Sequence, residues 1–159
     1  MSSTNYAGFW LRFVAYLIDA VIIYCVQAIL IVPVLGLLGI TFGQDISAFE
    51  SMSEEEALTM FASVVAAASA TSAVFLVLTM LYFSLMESSQ YQATVGKIVL
   101  GLKVTDEQGQ KPDFVKALLR NLCKILSSLI FMVGYIMAGF TEKKQGLHDI
   151  IAKTLVVKK

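Results

Sequence analysis

Two long apolar stretches dominate the pattern of hydrophobic and polar residues along this chain. Residues 13–44 contain one charged side chain, Asp19, and residues 60–86 contain none. A transmembrane helix needs roughly 20 consecutive apolar residues, so both stretches are long enough to cross a bilayer. The pattern predicts two firm spans, at about residues 11–33 and 60–86.

A soluble protein with two buried helices is the alternative, but a chain of 159 residues is too short to cover both of them. A cleaved signal peptide fits poorly as well, because no basic segment precedes the first stretch and its apolar run is too long. The composition agrees with a membrane protein, since 57 % of the residues are hydrophobic and only 15 % are charged.

The third apolar region, predicted as a span at about residues 117–140, is less regular. Lys116, Arg120 and Lys124 recur every fourth residue, which is typical of an amphipathic helix lying in the interface with its cations toward lipid head groups. The following uncharged run is at the lower limit of a spanning length. A shorter or re-entrant helix, kinked around Gly134, would fit both its length and its charge.

The charges are strongly segregated along the chain. Residues 1–96 contain one basic and seven acidic residues, whereas residues 97–159 contain eleven basic and five acidic residues. Because basic residues favour the cytoplasmic side, we expect a cytoplasmic N-terminus, an outside loop at 36–57 and an inside segment at 87–116. The tail at 142–159 is rich in lysine and favours the inside, although a complete third span would place it outside.

Two short β-branched runs lie outside the apolar stretches, at residues 98–104 and 154–157. A turn signal, Asp106 to Gly109, follows the first run. If the runs pair, both lie on one side of the membrane. The fold class is therefore an all-α membrane protein, 1–159 as a single domain, with two firm spans, a third shorter or re-entrant helix, an interfacial amphipathic helix and a small cytoplasmic β element.

Asp19 is the candidate ion- or proton-binding carboxylate. It is predicted near the middle of the bilayer, where a charged aspartate is costly and usually faces the interior of the protein. Low dielectric there favours its protonated form. Thr79 on the second span has a similar depth and is a candidate hydrogen-bond partner. In the alternative, Asp19 is hydrogen-bonded and only organises helix packing.

Arg12 is predicted to pair with a distant carboxylate. It shares a helix face with Asp19 but is about 10.5 Å away along the axis, too far for a direct ion pair. We favour Asp149 as its partner, with Glu87 as the competitor and lipid phosphate as the alternative. His148 adjoins Asp149 and is a candidate proton relay, although hydrogen bonding is its commoner role.

Several motifs, in order, resemble the RDD family of small bacterial membrane proteins, which is named for one arginine and two aspartates. The resemblance covers nearly the whole chain and implies a multi-spanning inner-membrane protein suspected of transport, with some members linked to cation/proton antiport. The chain departs from the pattern at Val95 and Lys153. The matching residues are Gly8 to Arg12, Asp19, Thr94-Val95-Gly96-Lys97, Leu100 to Val104, Ala117-Leu118-Leu119-Arg120-Asn121, Gln145 to Asp149, and Thr154 to Val157.

Two functions of different class follow. The first is transport of a small cation or solute across the bacterial inner membrane, with Asp19 binding the ion or proton. Three short spans enclose little volume, so a pathway requires a homo-oligomer. The second is a scaffold or accessory protein whose charges only organise packing and assembly. We expect no enzyme activity, cofactor, metal or nucleic acid, because no nucleophile, ligand cluster or cofactor motif is evident. Cys25 and Cys123 form no zinc site on their own. The expected partner is the lipid bilayer.

Overall fold

The computed structural model describes residues 5–37, 52–129 and 133–159 of the chain. Helices form most of these ranges, and two short strands complete them. In chain order the elements are α1 (Phe9–Leu37), α2 (Glu54–Ser88), α3 (Val95–Val99), β1 (Leu102–Asp106), α4 (Phe114–Leu129), α5 (Val133–Phe140), α6 (Leu147–Ile151) and β2 (Thr154–Lys158).

The two predicted firm spans lie within α1 and α2. These helices have 29 and 35 residues, or about 44 and 52 Å at about 1.5 Å per residue. The windows Phe9–Pro33 and Glu54–Ser88 are long and apolar enough to cross a membrane. Ile29 and Phe61 expose 72 % and 68 % of their surface, as expected of side chains that face lipid. The predicted outside loop lies largely beyond the described residues.

The start of α2 has a local explanation in the sequence. The Glu56 carboxylate accepts hydrogen bonds from the backbone N–H and the hydroxyl of Ser53, both at 2.9 Å, and the Ser53 hydroxyl accepts one from the Glu56 N–H at 3.3 Å. This reciprocal pair is a capping box. Three glutamates, Glu54 to Glu56, occupy the first turn, where negative charge complements the helix dipole.

The chain divides into two compact units. One comprises Met1–Ile22 and Thr79–Lys159, and the other comprises Ile23–Leu78. The second unit contains the C-terminal part of α1 and the N-terminal part of α2. The first unit contains both strands, the four shorter helices and all the candidate site residues.

The core of the first unit is a two-stranded antiparallel sheet. Strands β1 and β2 pair with Val104 opposite Val156, and both valines are fully buried. Ala7 donates its N–H to the Val156 carbonyl at 2.8 Å, and Tyr6 forms a bridge with Val157. The predicted pairing of the two runs is thus present, but between residues 102–106 and 154–158. The start of the first run was predicted wrongly, because Ile98 and Val99 belong to α3. The N-terminal segment, β1 and the tail therefore meet.

The third apolar region consists of two helices, α4 and α5, and residues 130–132 between them lie outside the described ranges. The helices pack closely, because a Cβ on Gly134 would lie 2.7 Å from the Cβ of Ser127. Helix α4 has its polar face inward. Val115, Leu119 and Leu122 expose 67, 42 and 49 % of their surface, whereas Arg120 exposes 2 %.

The prediction that Arg120 turns toward lipid head groups is therefore wrong. Charge spacing along the sequence defines a polar stripe on a helix, but it does not say whether water or protein lies against that stripe. In this protein other charged side chains of the first unit cover it, and the apolar face of α4 is left outside. Lys116, four residues earlier, keeps 44 % of its side chain exposed.

Candidate functional site

Asp19 lies in a closed pocket formed by α1, α2 and the start of α3. Its Oδ1 atom accepts hydrogen bonds from the Gly96 N–H at 2.8 Å and the Tyr82 hydroxyl at 3.1 Å. Its Oδ2 atom accepts one from the Thr94 hydroxyl at 2.5 Å. The residue exposes only 1 % of its surface. A buried carboxylate thus has three uncharged donors, which offset the cost of removing it from water.

The predicted partner Thr79 is not one of the donors to Asp19 among the described residues. That prediction rested on matching depths along two spans. The observed donors include the segment after α2, which folds back against α1, and Tyr82, three residues beyond Thr79 on α2. Comparing depths along two spans cannot reveal a donor from a segment that folds back between them.

Gly96 is required where α3 approaches α1. A Cβ at this position would overlap the backbone oxygen of Ala15 and would lie 3.1 Å from the Asp19 Cγ. The absence of a side chain lets the Gly96 N–H reach the carboxylate. Thr94 precedes α3 as its N-cap residue, so Asp19 receives two of its three hydrogen bonds at the start of that helix.

Arg12 pairs with Asp149 of α6, the partner favoured from the sequence. Its Nη1 pairs with Asp149 Oδ2, its Nε donates to the Ala7 carbonyl at 2.8 Å, and its Nη2 donates to the Lys144 carbonyl at 2.5 Å. The guanidinium therefore ties α1 to both the N-terminal segment and the tail. Glu87, the competing carboxylate, has other partners.

Asp149 joins two arginines. Its Oδ1 atom accepts a hydrogen bond from Arg120 Nε at 2.7 Å, on the side away from Arg12. Its Oδ2 also accepts the Gly146 N–H at 3.2 Å, which caps α6. Because the side chain is fully buried, both of its ion pairs are shielded from water.

Glu87, near the end of α2, is the second carboxylate of this network and is also fully buried. Its Oε1 atom pairs with Lys97 and lies 3.0 Å from Arg120 Nη1 and 3.5 Å from Lys124 Nζ. Its Oε2 atom accepts a hydrogen bond from Asn121 Nδ2 at 3.2 Å. We call these seven side chains the charge network: Arg12, Glu87, Lys97, Arg120, Asn121, Lys124 and Asp149.

The network sets the charge states of its members outside the spans. Burial opposes ionisation of Asp149, but Arg120 and Arg12 overcome it and hold the pKa of Asp149 well below its usual range. For Lys97, burial is the larger effect and lowers the pKa, although Glu87 opposes it.

His148 is a buried, neutral imidazole. Burial lowers its pKa to about 3, even though Asp149 favours its protonated form. Its Nε2 is 3.6 Å from Asp149 Oδ1, beyond hydrogen-bonding distance, its ring packs 5.0 Å from Tyr135, and its Nδ1 has no hydrogen-bond partner among the described residues. These surroundings favour packing over the proton relay considered from the sequence.

Some residues of the site were not assigned these contacts from the sequence. Tyr82 carries no motif signal. Thr94, Gly96, Lys97, Arg120 and Asn121 fall within the quoted motifs, and that is the signal that could have found them. No group of three His, Cys, Asp or Glu side chains comes together as a possible metal site in the described ranges. The arrangement instead offers one carboxylate held by neutral donors and two held by cations.

Comparison with known proteins places this chain among membrane proteins. It is 40 % identical to the uncharacterized protein YxaI of Bacillus subtilis over 153 residues, covering 96 % of this chain and 97 % of the relative. It is 31 % identical to the uncharacterized membrane protein YteJ of the same organism, covering 96 % and 80 % of the two chains. No solved structure matches. The RDD family model matches residues 6–153. This membrane protein, with Arg12, Asp19 and Asp149 in its buried site, belongs to the RDD family.

Proposed function

We propose that the protein transports a small cation or solute across the bacterial cytoplasmic membrane, coupled to protons, and that Asp19 is the proton-binding group. The observation that carries this proposal is the partner of Asp19 Oδ2, the Thr94 hydroxyl at 2.5 Å. A hydroxyl can donate to an ionised carboxylate and can accept from a protonated one. Both protonation states of Asp19 can therefore be satisfied without rearranging the backbone.

The proposed topology has the N-terminus, the segment after α2 and the tail in the cytoplasm. Support comes from the contacts between residues 5–7, β1 and β2, which keep these segments on one side. Most of the lysines belong to these segments or flank them, as the positive-inside rule requires. Helices α4 and α5 then enter and leave the membrane from the same side. A pathway would be completed by several copies of the chain.

The experiment compares proton-coupled flux in proteoliposomes under an imposed pH gradient. The variants are Asp19→Asn and, as a matched control, Asp113→Asn, which changes an exposed aspartate outside the network. We expect wild type and Asp113→Asn to dissipate the imposed pH gradient when a transported cation is present. Asp19→Asn should lose this flux while keeping its oligomeric size. Equal flux in all three proteins would refute the role of Asp19.

A second function is favoured by a different observation, the engagement of Asp149 and Glu87 by four cations from three helices, α1, α3 and α4. In this alternative the protein is a membrane scaffold or accessory protein, and its charges organise packing and assembly. It predicts no flux in wild type under any gradient of Na⁺, K⁺ or H⁺. A strict monomer in lipid nanodiscs would also favour this alternative over transport.

A further inference from the structure

The charge network contains more positive than negative charge. Four cations, Arg12, Lys97, Arg120 and Lys124, surround only two carboxylates, Glu87 and Asp149. Counting the nearby Asp19, which has only uncharged hydrogen-bond donors, still leaves an excess of one positive charge. Buried charge without a partner is costly, so this excess needs compensation.

Most of the positive charge of the network lies around a single atom, Glu87 Oε1. Three cationic nitrogens, from Lys97, Arg120 and Lys124, lie within 4.0 Å of it. Although Arg120 Nη1 is only 3.0 Å away, it makes no aligned hydrogen bond there and has no other hydrogen-bond partner among the described residues. One oxygen atom therefore cannot satisfy the cations that converge on it.

Lys124 is the member of this group that a ligand can reach. Its side chain is 21 % exposed, compared with 9 % for Lys97 and 3 % for Arg120. Its ammonium donates to Asn121 Oδ1 at 2.6 Å and lies 4.9 Å from the centre of the Phe83 ring.

The ends of the spans indicate the depth of Lys124, which is close to Glu87. Glu87 is in the last turn of α2, and Arg12 is in the first turn of α1. The end of a membrane-spanning helix is the level at which phospholipid phosphates lie, and lysine and arginine commonly bind them there.

We propose that Lys124, supported by Lys97, binds a phosphate group at the edge of the charge network, either from the head group of an anionic phospholipid or from free inorganic phosphate. The phosphate oxygens accept hydrogen bonds from the Lys124 ammonium and balance the excess positive charge. The site is independent of Asp19 and of transport, and it would hold equally in a scaffold.

The test measures thermal unfolding of delipidated protein in a neutral detergent. Three additions are compared at equal ionic strength: phosphatidylglycerol, phosphatidylcholine and inorganic phosphate. The variant is Lys124→Gln, and its matched control is Lys116→Gln, on the same helix with a 44 % exposed side chain. Lys124→Arg keeps the charge and should keep the effect.

We expect phosphatidylglycerol, but not phosphatidylcholine, to raise the unfolding temperature of wild type, Lys116→Gln and Lys124→Arg. Lys124→Gln should bind it about tenfold more weakly, the loss expected for one charge-assisted hydrogen bond. An equal effect of inorganic phosphate would support the site and identify a free anion as a sufficient ligand. If phosphatidylglycerol stabilises the protein and inorganic phosphate does not, the site binds the phosphate of a lipid.

Equal stabilisation of Lys124→Gln and wild type would overturn the proposal, and so would the absence of any effect on wild type. The latter result would indicate that a lysine of the network compensates the charge by losing its proton. If Lys124→Gln does not fold, native mass spectrometry of wild type decides. Saturable retention of one phosphatidylglycerol per chain supports the site, and unsaturable or absent retention overturns it.

Discussion

Replacing Asp149 with asparagine tests whether the charge network holds the first unit together. The substitution keeps the size of the side chain and removes its charge. Arg12 and Arg120 would then face each other across a fully buried amide. Removing one partner of a buried ion pair costs about 3–5 kcal/mol, because the remaining charge stays buried without compensation. We expect Asp149→Asn to lose that much unfolding free energy.

The assay is an unfolding titration in mixed micelles, with Glu142→Gln as the control. Glu142 is an exposed acid on the tail, and its substitution should change the unfolding free energy by less than about 0.5 kcal/mol. Combining Arg12→Gln with Asp149→Asn removes one of the two stranded cations. The double variant should therefore lose at least about 1 kcal/mol less than the sum of the single losses.

The charge swap Arg12→Asp with Asp149→Arg sharpens the test. In an isolated pair, the swap would restore stability. In this structure the new cation at position 149 would meet Arg120, which lies 2.7 Å from the present carboxylate. We expect the swap to remain destabilised. Full restoration, or a loss below about 0.5 kcal/mol in Asp149→Asn, would refute the three-residue arrangement.

Two further predictions concern α3 and His148. Gly96→Ala should lose about 1–3 kcal/mol of unfolding free energy, because its Cβ would overlap the Ala15 oxygen. The control is Gly8→Ala, where a Cβ meets nothing within 4 Å, and it should change the unfolding free energy little. Equal losses in the two variants would argue against the close approach of α3 to α1. Because the folded-state pKa of His148, about 3, is below its unfolded value of about 6.5, the unfolded chain takes up the proton first as the pH falls. The unfolding free energy should therefore fall between about pH 6.5 and pH 3, by up to about 1.4 kcal/mol per pH unit. His148→Gln should flatten this part of the pH profile. Asp149, whose pKa is lowered, contributes a loss of stability only below about pH 4.

The long helices and one ion pair could be predicted from the sequence, and the reason is local in each case. Apolar length alone predicted the spans within α1 and α2. The separation of Arg12 and Asp19 along one helix excluded a direct pair, which left distant carboxylates as the partners of Arg12. The β-branched composition of residues 98–104 and 154–157 indicated two strands, although the first strand begins only at Leu102 and only the structure shows the register.

The orientation of α4 and the partners of Asp19 could not be predicted in the same way. In a soluble protein the polar face of a helix meets water, but a helix beside lipid can turn that face inward. The sequence pattern is the same in both cases, so it predicts lipid head groups, and not protein, beside Arg120. The donors Thr94 and Gly96 are 75 and 77 residues from Asp19. Their position depends on how the segment after α2 folds back.

The three buried carboxylates differ in what happens when one of them gains a proton. Neutralising Glu87 or Asp149 would leave lysine or arginine charges buried without a counterion, at a cost of several kcal/mol. Asp19 differs from them because its hydrogen-bond donors are uncharged and the Thr94 hydroxyl can turn from donor to acceptor. In the proposed transport function, this difference assigns the proton-binding role to Asp19 and leaves Glu87 and Asp149 as counterions of the charge network.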